Sequence, residues 1–165
     1  MKNLFFALVI LGFGFLSCRH DDESLQRIDQ NIHLYIDSAG QDMLNNKIPG
    51  SYISHTMNDV NGLTENAPVN ASIVPDSDTI RYLDYLAGAR RIVVDSLDDL
   101  KIYESEIALN LTKRINDSTN SIIRDTILIQ YRSTPQLFEV SQVWYNGTLQ
   151  FTKTEGQPNI VKIHK

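Results

Sequence analysis

Cysteine and tryptophan each occur once in the 165 residues, and histidine four times. A single thiol cannot build a disulfide framework within one chain, and with so few histidines it also excludes the Cys-rich structural zinc modules. Five prolines and eight glycines are too few for a collagen-like or low-complexity chain. Basic residues are in deficit: 15 Lys plus Arg face 20 Asp plus Glu, a formal net charge of -5. Such a field repels polyanions, so nucleic acid is not an expected partner. A Gly-rich phosphate loop after a strand, a metalloprotease His pair and a nucleophile elbow are also missing. No catalytic residue, metal ligand or cofactor is therefore nominated, although the many carboxylates leave open a glycosidase-type pair assembled by the fold. What is present is 42% hydrophobic residues against 21% charged, enough for a packed core.

Apolar residues are densest at the start. After Lys2, Leu4 to Leu16 run without a charge through Phe5, Phe6, Leu8, Val9, Ile10, Leu11, Phe13 and Phe15. This is the n-region and h-region of a secretory signal. The run of about a dozen residues falls short of the ~20 that a membrane-crossing helix needs. It ends Phe15-Leu16-Ser17-Cys18, which resembles the lipobox of bacterial lipoproteins, with Phe15 in place of the usual Leu. The alternative is a plain secretory signal with an incidental thiol, but the only cysteine of the chain lies where lipidation requires one. The resemblance implies that residues 1–17 are removed and that Cys18, carrying diacylglyceride, becomes the first mature residue. Its acyl chains would hold the protein to membrane lipid at ~0.8 kcal/mol per buried CH₂. Arg19-His20-Asp21-Asp22-Glu23 follows, and is similar to the surface-export signal of Bacteroidota lipoproteins, with His20 where that pattern often has Lys. That similarity implies an outer-membrane protein facing outward; a solvated acidic spacer on the periplasmic face is the other reading.

Residues 18–31 read as a lipidated cysteine and polar tether, and residues 32–165 as a single β-rich domain. Ile32, Leu34 and Ile36 alternate with His33 and Tyr35, a strand with one buried face, and Asp37-Ser38-Ala39-Gly40 turns it. His33 is expected to face outward rather than to bind metal, since no second ligand lies at a metal spacing. Ile48-Pro49-Gly50 precedes a strand over residues 51–57, with Tyr52, Ser54 and Thr56 on one face and Ile53, His55 and Met57 on the other. Asn58 to Pro68 is a loop; its Asp59-Val60-Asn61-Gly62 and Glu65 are weakly similar to calcium loops but lack their acidic ligand series. Val69, Ala71 and Ile73 suggest one short strand. Asp78 to Arg91 fits a capped helix or a strand, with strand preferred in β surroundings. Ile92-Val93-Val94 is expected to be buried. Ile107, Leu109 and Leu111, then Ile123, Asp125, Ile127, Ile129 and Tyr131, suggest a long hairpin around residues 116–120. Phe138, Val140, Gln142 and Trp144 alternate with Glu139, Ser141, Val143 and Tyr145, and Asn146-Gly147 supplies a type I′ turn. Ile160 to Ile163 is the last strand. The spacing predicts an antiparallel β-sandwich or partly closed barrel of about seven to nine strands, with one short helix as an option.

Five triplets, beginning at Asp37, Asp78, Asp95, Asp117 and Asp125, are similar to the O-glycosylation site of Bacteroidota exported proteins, which makes Ser38, Thr79, Ser96, Ser118 and Thr126 acceptor candidates. Composition alone would yield roughly one such triplet. Asp-Ser and Asp-Thr also open turns for purely local reasons, so both readings stand. Trp144 and Tyr145, with Tyr82, Tyr85 and Tyr131, raise a sugar-stacking platform, against which Trp144 shares an alternation face with Val140 and Phe138 and so is expected in the core. The segment from Asp125-Thr126-Ile127 to Trp144-Tyr145-Asn146-Gly147 resembles the C-terminal half of small Bacteroidota lipoproteins with β-sandwich domains, and implies no activity. Expected partners are membrane lipid through Cys18, and a glycan, peptide or envelope protein through exposed loops. A structural lipoprotein pairing through an edge strand such as Ile160 to Ile163 is the alternative, which places that strand at a sheet margin.

Overall fold

The computed structural model describes residues 25–165. The leader, Cys18 and the Arg19 to Glu23 run lie outside the described residues. Thirteen strand segments follow in order: β1 (Arg27–Asp29), β2 (Asn31–Ser38), β3 (Gln41–Asp42), β4 (Tyr52–Asp59), β5 (Pro68–Val69), β6 (Ser72–Pro75), β7 (Arg81–Leu86), β8 (Ile92–Leu97), β9 (Leu100–Asn116), β10 (Thr119–Ser133), β11 (Leu137–Tyr145), β12 (Thr148–Thr152) and β13 (Asn159–His164). Nine of them have five residues or more. No helix occurs among the described residues, and the ambiguous stretch after Asp78 forms strand β7. Sheet structure begins at Arg27, inside the segment read as tether.

The strands form two sheets around one core, as the alternation implied. The larger, eight-stranded sheet runs β1-β11-β10-β9-β4-β5, with β12 extending the β11 edge beyond β1 and β8 extending the β9 edge beyond β4. The smaller, five-stranded sheet runs β13-β2-β7-β6, with β3 on β2. The larger sheet curls strongly, giving a sandwich that approaches a half-barrel. Its spine is the β9-β10 hairpin: 17 residues of β9 reach about 55 Å at the ordinary strand rise. The inner row of that hairpin, Ile107, Leu109, Leu111, Ile127, Ile129 and Tyr131, packs against Ile32, Leu34 and Ile36 of β2, Leu83 and Tyr85 of β7, and Val161 and Ile163 of β13. Pairing is antiparallel except at two places, β1 with β11 and β13 with β2, each formed by a strand next to a crossing between the sheets.

Bulges account for where simple alternation fails. One between Tyr52 and Ser54 sets two residues of β4 opposite one of β9, so Tyr52 turns inward with Met57 instead of outward with Ser54 and Thr56. Another leaves Ser141 unpaired between Gln142 and Val140, opposite Gln130 and Tyr131, and flips the far half of β11. Val143 and Tyr145 are therefore buried, while Trp144 lies half-buried on the outer face beside Leu128 and Leu149, not in the core with Val140. Val69 and Ile73 do not share a strand: β5 pairs with β4 in the larger sheet and β6 with β7 in the smaller. Ile92, Val93 and Val94 are exposed rather than buried, because β8 is an edge with nothing described packed on its outer side. The expected turn at Asn146-Gly147 is present, with φ of 49° and 77°.

Two buried polar clusters lock the ends. At the crossing from β12 to β13, the Lys153 ammonium donates to Asp29 Oδ2 (2.6 Å), Gln157 O (2.7 Å) and Asn159 Oδ1 (2.8 Å). Asn159 in turn donates to Asp29 Oδ1 (2.9 Å) and Asn31 O (2.8 Å), so both sheet crossings are bonded to each other. At the opposite end Asp125 accepts from Tyr145 Oη (2.7 Å), Asn146 Nδ2 (2.7 Å) and the Lys165 ammonium (2.5 Å). Burial alone would raise the Asp125 carboxyl, but these three donors outweigh it and hold the group below its ordinary range, while burial and the same carboxylate push the Tyr145 phenol up. A depressed folded-state value adds stability that is complete above the unfolded value and is lost as pH falls through the folded one. Asp125→Asn is expected to lower urea stability by about 1–3 kcal/mol near neutrality. The gap from wild type should shrink as pH drops below about 4; a gap that stays constant to acid pH would show that the carboxylate charge is not what stabilises this end.

Candidate functional site

The outer face of the five-stranded sheet carries the most organised set of exposed side chains. Inward placement of Ile32, Leu34 and Ile36 forces His33, Tyr35 and Asp37 outward, and Leu83 and Tyr85 do the same for Tyr82 and Asp84. On β13, Val161 and Ile163 are buried, which leaves Ile160, Lys162 and His164 outside. Register then aligns these residues into cross-strand rows. Ile160, His33, Asp84 and Ser72 form one, and Lys162 stands beside Tyr35, with Tyr82 and Val74 paired next to it. His164 stands beside Asp37 and contacts its Oδ1.

Three rings are contiguous on this face. Tyr82 is the middle one, with His33 at 4.5 Å and 38° and Tyr35 at 5.2 Å and 30° between centroids and planes. Polar groups border both ends of the row. Asn31 Nδ2 donates to Asp84 Oδ1 (2.9 Å) and lies 3.2 Å from His33 Nε2. Tyr35 Oη donates to Asp76 Oδ2 (3.1 Å). Burial first, and the Asp76 carboxylate second, raise the Tyr35 phenol to about 12, so it stays a protonated donor throughout the physiological range.

Beside the rings a cleft of about 460 Å³ opens between β2, β13 and the turn joining β6 to β7. This volume lies within the ~300–1,000 Å³ usual for small-ligand sites. Its walls are Tyr35, Ile80 and Ile160, with Lys162 and Arg81 as cationic groups and His164 beside them. Asp37, Asp42, Asp76 and Asp78 share it, but most are already engaged. Asp76 Oδ1 accepts the backbone N–H of Asp78 and of Ile80, both at 2.9 Å, and Asp42 accepts those of Leu44 and Arg81, also at 2.9 Å. Asp37 contacts His164. These hydrogen bonds tie Asp76 and Asp42 to the cleft wall.

Other sequence candidates are spread out. Tyr85, Tyr131 and Tyr145 are core residues, and Trp144 is on the outer face of the opposite sheet, so the aromatic group proposed from sequence does not assemble. Tyr82 alone of that group reaches the platform, joined by Tyr35 and His33. Thr79, Ser96, Ser118 and Thr126 are exposed, on a turn, an edge strand, a hairpin tip and β10, and Ser38 is half-buried, its hydroxyl donating to Lys165 O (2.8 Å). Asp125, which precedes Thr126, is buried in the Lys165 cluster. In the weakly calcium-like loop, Asp59 spends its oxygens on the backbone N–H of Asn61 (2.9 Å) and Arg90 (2.6 Å).

No protein-family model, no curated protein and no solved structure matches the chain. The geometry therefore stands alone. Because Asp76 both holds its turn and anchors Tyr35, Asp76→Ala is expected to cost about 1–3 kcal/mol in urea unfolding. The Tyr35 phenol should then titrate at lower pH, read by its ultraviolet difference spectrum; an unshifted phenol would show that the contact does not hold Tyr35 in place.

Proposed function

We propose that this chain is a lipid-anchored cell-envelope binding protein, held through Cys18 and engaging a glycan across the outer face of its five-stranded sheet. The observation that carries the reading is the row of His33, Tyr82 and Tyr35 rings, with Asp84 at its His33 end, beside a cleft bordered by Lys162, Arg81 and Asp76. Sugar rings present apolar C–H faces and hydroxyl edges, and half-exposed aromatic rings next to fixed donors and acceptors offer a match for both. The Phe15-Leu16-Ser17-Cys18 segment supports the anchor, and the Arg19 to Glu23 run supports an outward-facing outer-membrane location.

Anchoring is tested by metabolic labelling with a clickable fatty acid, expected on wild type and absent from Cys18→Ser; label retained after the substitution would sink the lipoprotein reading. Binding is tested by affinity electrophoresis of the wild-type chain through gels containing envelope and host polysaccharides. A retarding polysaccharide is expected, with retardation weakened about 3–10-fold by Tyr82→Ala, from the ~0.5–1.5 kcal/mol of one aromatic contact. Trp144→Ala, on the other sheet, should bind as wild type. Loss with Trp144→Ala and not with Tyr82→Ala would move the site to the larger sheet, and no retardation by any polysaccharide would remove the glycan reading.

A further inference from the structure

We propose that β8 is a self-association edge, through which two copies of this chain pair antiparallel and join their eight-stranded sheets. β8 hydrogen-bonds only to β9, so one row of its backbone groups has no partner among the described residues. All six of its residues are exposed, including Ile92 at 43%, Val93 at 52%, Val94 at 49% and Leu97 at 69%. An apolar edge of this kind is what soluble β-proteins ordinarily cover or charge. Other exposed apolar side chains, such as Leu86, Ile115 and Ile122, lie outside any such run of three consecutive β-branched residues on an open edge, and β13, the margin strand expected from sequence to pair outward, alternates buried with exposed residues in the ordinary way.

Charge identifies the occupant. The segment reads Arg90-Arg91-Ile92-Val93-Val94-Asp95-Ser96-Leu97-Asp98-Asp99: basic at its start, apolar in the middle and acidic at its end. Antiparallel pairing of two such segments brings each basic end to the other's acidic end. A bulge leaves Val94 without a partner on β9, and pairing centred near it brings Arg90, just before β8, toward the Asp98-Asp99 turn of the second copy, twice across the two-fold axis. A register one step further sets Asp95 against Asp95, which like-charge repulsion disfavours. Arg91 is committed inward, its guanidinium over the Tyr131 and Phe138 rings at 5.1 and 4.6 Å and its Nη2 donating to Gln30 Oε1 (2.6 Å) and Ala87 O (2.8 Å). Arg90 is exposed and its guanidinium makes only a 3.4 Å contact with Asn61 O among the described residues, and Asp98 and Asp99 at the β8-β9 turn are exposed as well. Both charged ends are thus free to meet. Val60 and Leu63, exposed in the loop that continues the β4 side of the same β9 edge, extend the apolar surface a partner would cover. Two-fold isologous contacts of this type close on themselves, so the product is a dimer and not a fibre.

The test is disulfide capture of the full-length chain in the intact envelope. Val94→Cys, oxidised with copper phenanthroline, is expected to give a covalent dimer on a non-reducing gel. Lys162→Cys, exposed on the other sheet, should remain monomeric, as should the parent chain. Within the Val94→Cys background, Arg90→Asp alone should cut the dimer at least five-fold, and so should Asp98→Asn combined with Asp99→Arg. Co-expression of those two variants restores opposite charges at both contacts, and the mixed dimer should return toward the Val94→Cys level, which also shows that each variant folds. Capture at Val94→Cys no greater than at Lys162→Cys overturns the proposal, as does capture that ignores both charge reversals or is not restored by mixing.

Discussion

The position of a single ammonium organises this fold. Lys153 is buried, its side chain 6% exposed, and donates to three oxygens where the chain leaves the larger sheet for the smaller. A buried unpaired charge would be costly, and a lysine with all three protons placed is tolerable only because Asp29 and Asn159 are held there by the other crossing. The bonds run both ways: Asn159 grips Asp29 and the Asn31 carbonyl, so the β1-β2 and β12-β13 crossings are one unit. That unit lays β13 parallel to β2. Without β13 in that place, Ile160 and Lys162 would not stand beside His33 and Tyr35, and the cleft would lose a wall.

The two ends of the sandwich use different chemistry for the same purpose. At one end Asp125 collects three donors, the last of them from the final residue of the chain, Lys165, whose ammonium also lies 5.4 Å from the Tyr145 ring. At the other, Arg91 rests on two aromatic faces and two neutral acceptors with no carboxylate, leaving its Nε unbonded. Ser105 and Tyr131 hydroxyls pair beneath it at 3.1 Å. Between these polar closures the core is almost wholly apolar, so a rigid slab separates two very different outer faces. One carries stacked rings and a cleft; the other carries Trp144 and a free apolar edge.

Alternation was the reliable part of the sequence. Ile32 to Ile36, Ile107 to Leu111 and Ile127 to Tyr131 lie inward as their period of two demands, because a residue on a half-buried strand has only two directions to point. The failures cluster at bulges. Tyr52 lies just before, and Trp144 three residues after, an unpaired residue that reverses the pleat, and neither unpaired residue, Ile53 or Ser141, is a Gly or Pro. Val93 and Val94 failed differently: β-branched residues favour strands whether or not anything covers them, so composition reports the strand and not its burial.

For the candidate site, the outward direction of His33 and Tyr35 was legible, since burial of Ile32 and Leu34 dictates it. Their meeting with Tyr82 was not, for β7 lies more than forty residues along the chain and only the sheet order places it beside β2. Sequence by itself determined the β class, the strand faces, the Asn146-Gly147 turn and the expectation of a lipid anchor at Cys18, all of which follow from local spacing or residue chemistry. Tertiary structure alone decided which strands are neighbours, which pleats reverse and which edge stays open. Those depend on hydrogen bonds between segments distant in sequence, and no local pattern encodes its partner.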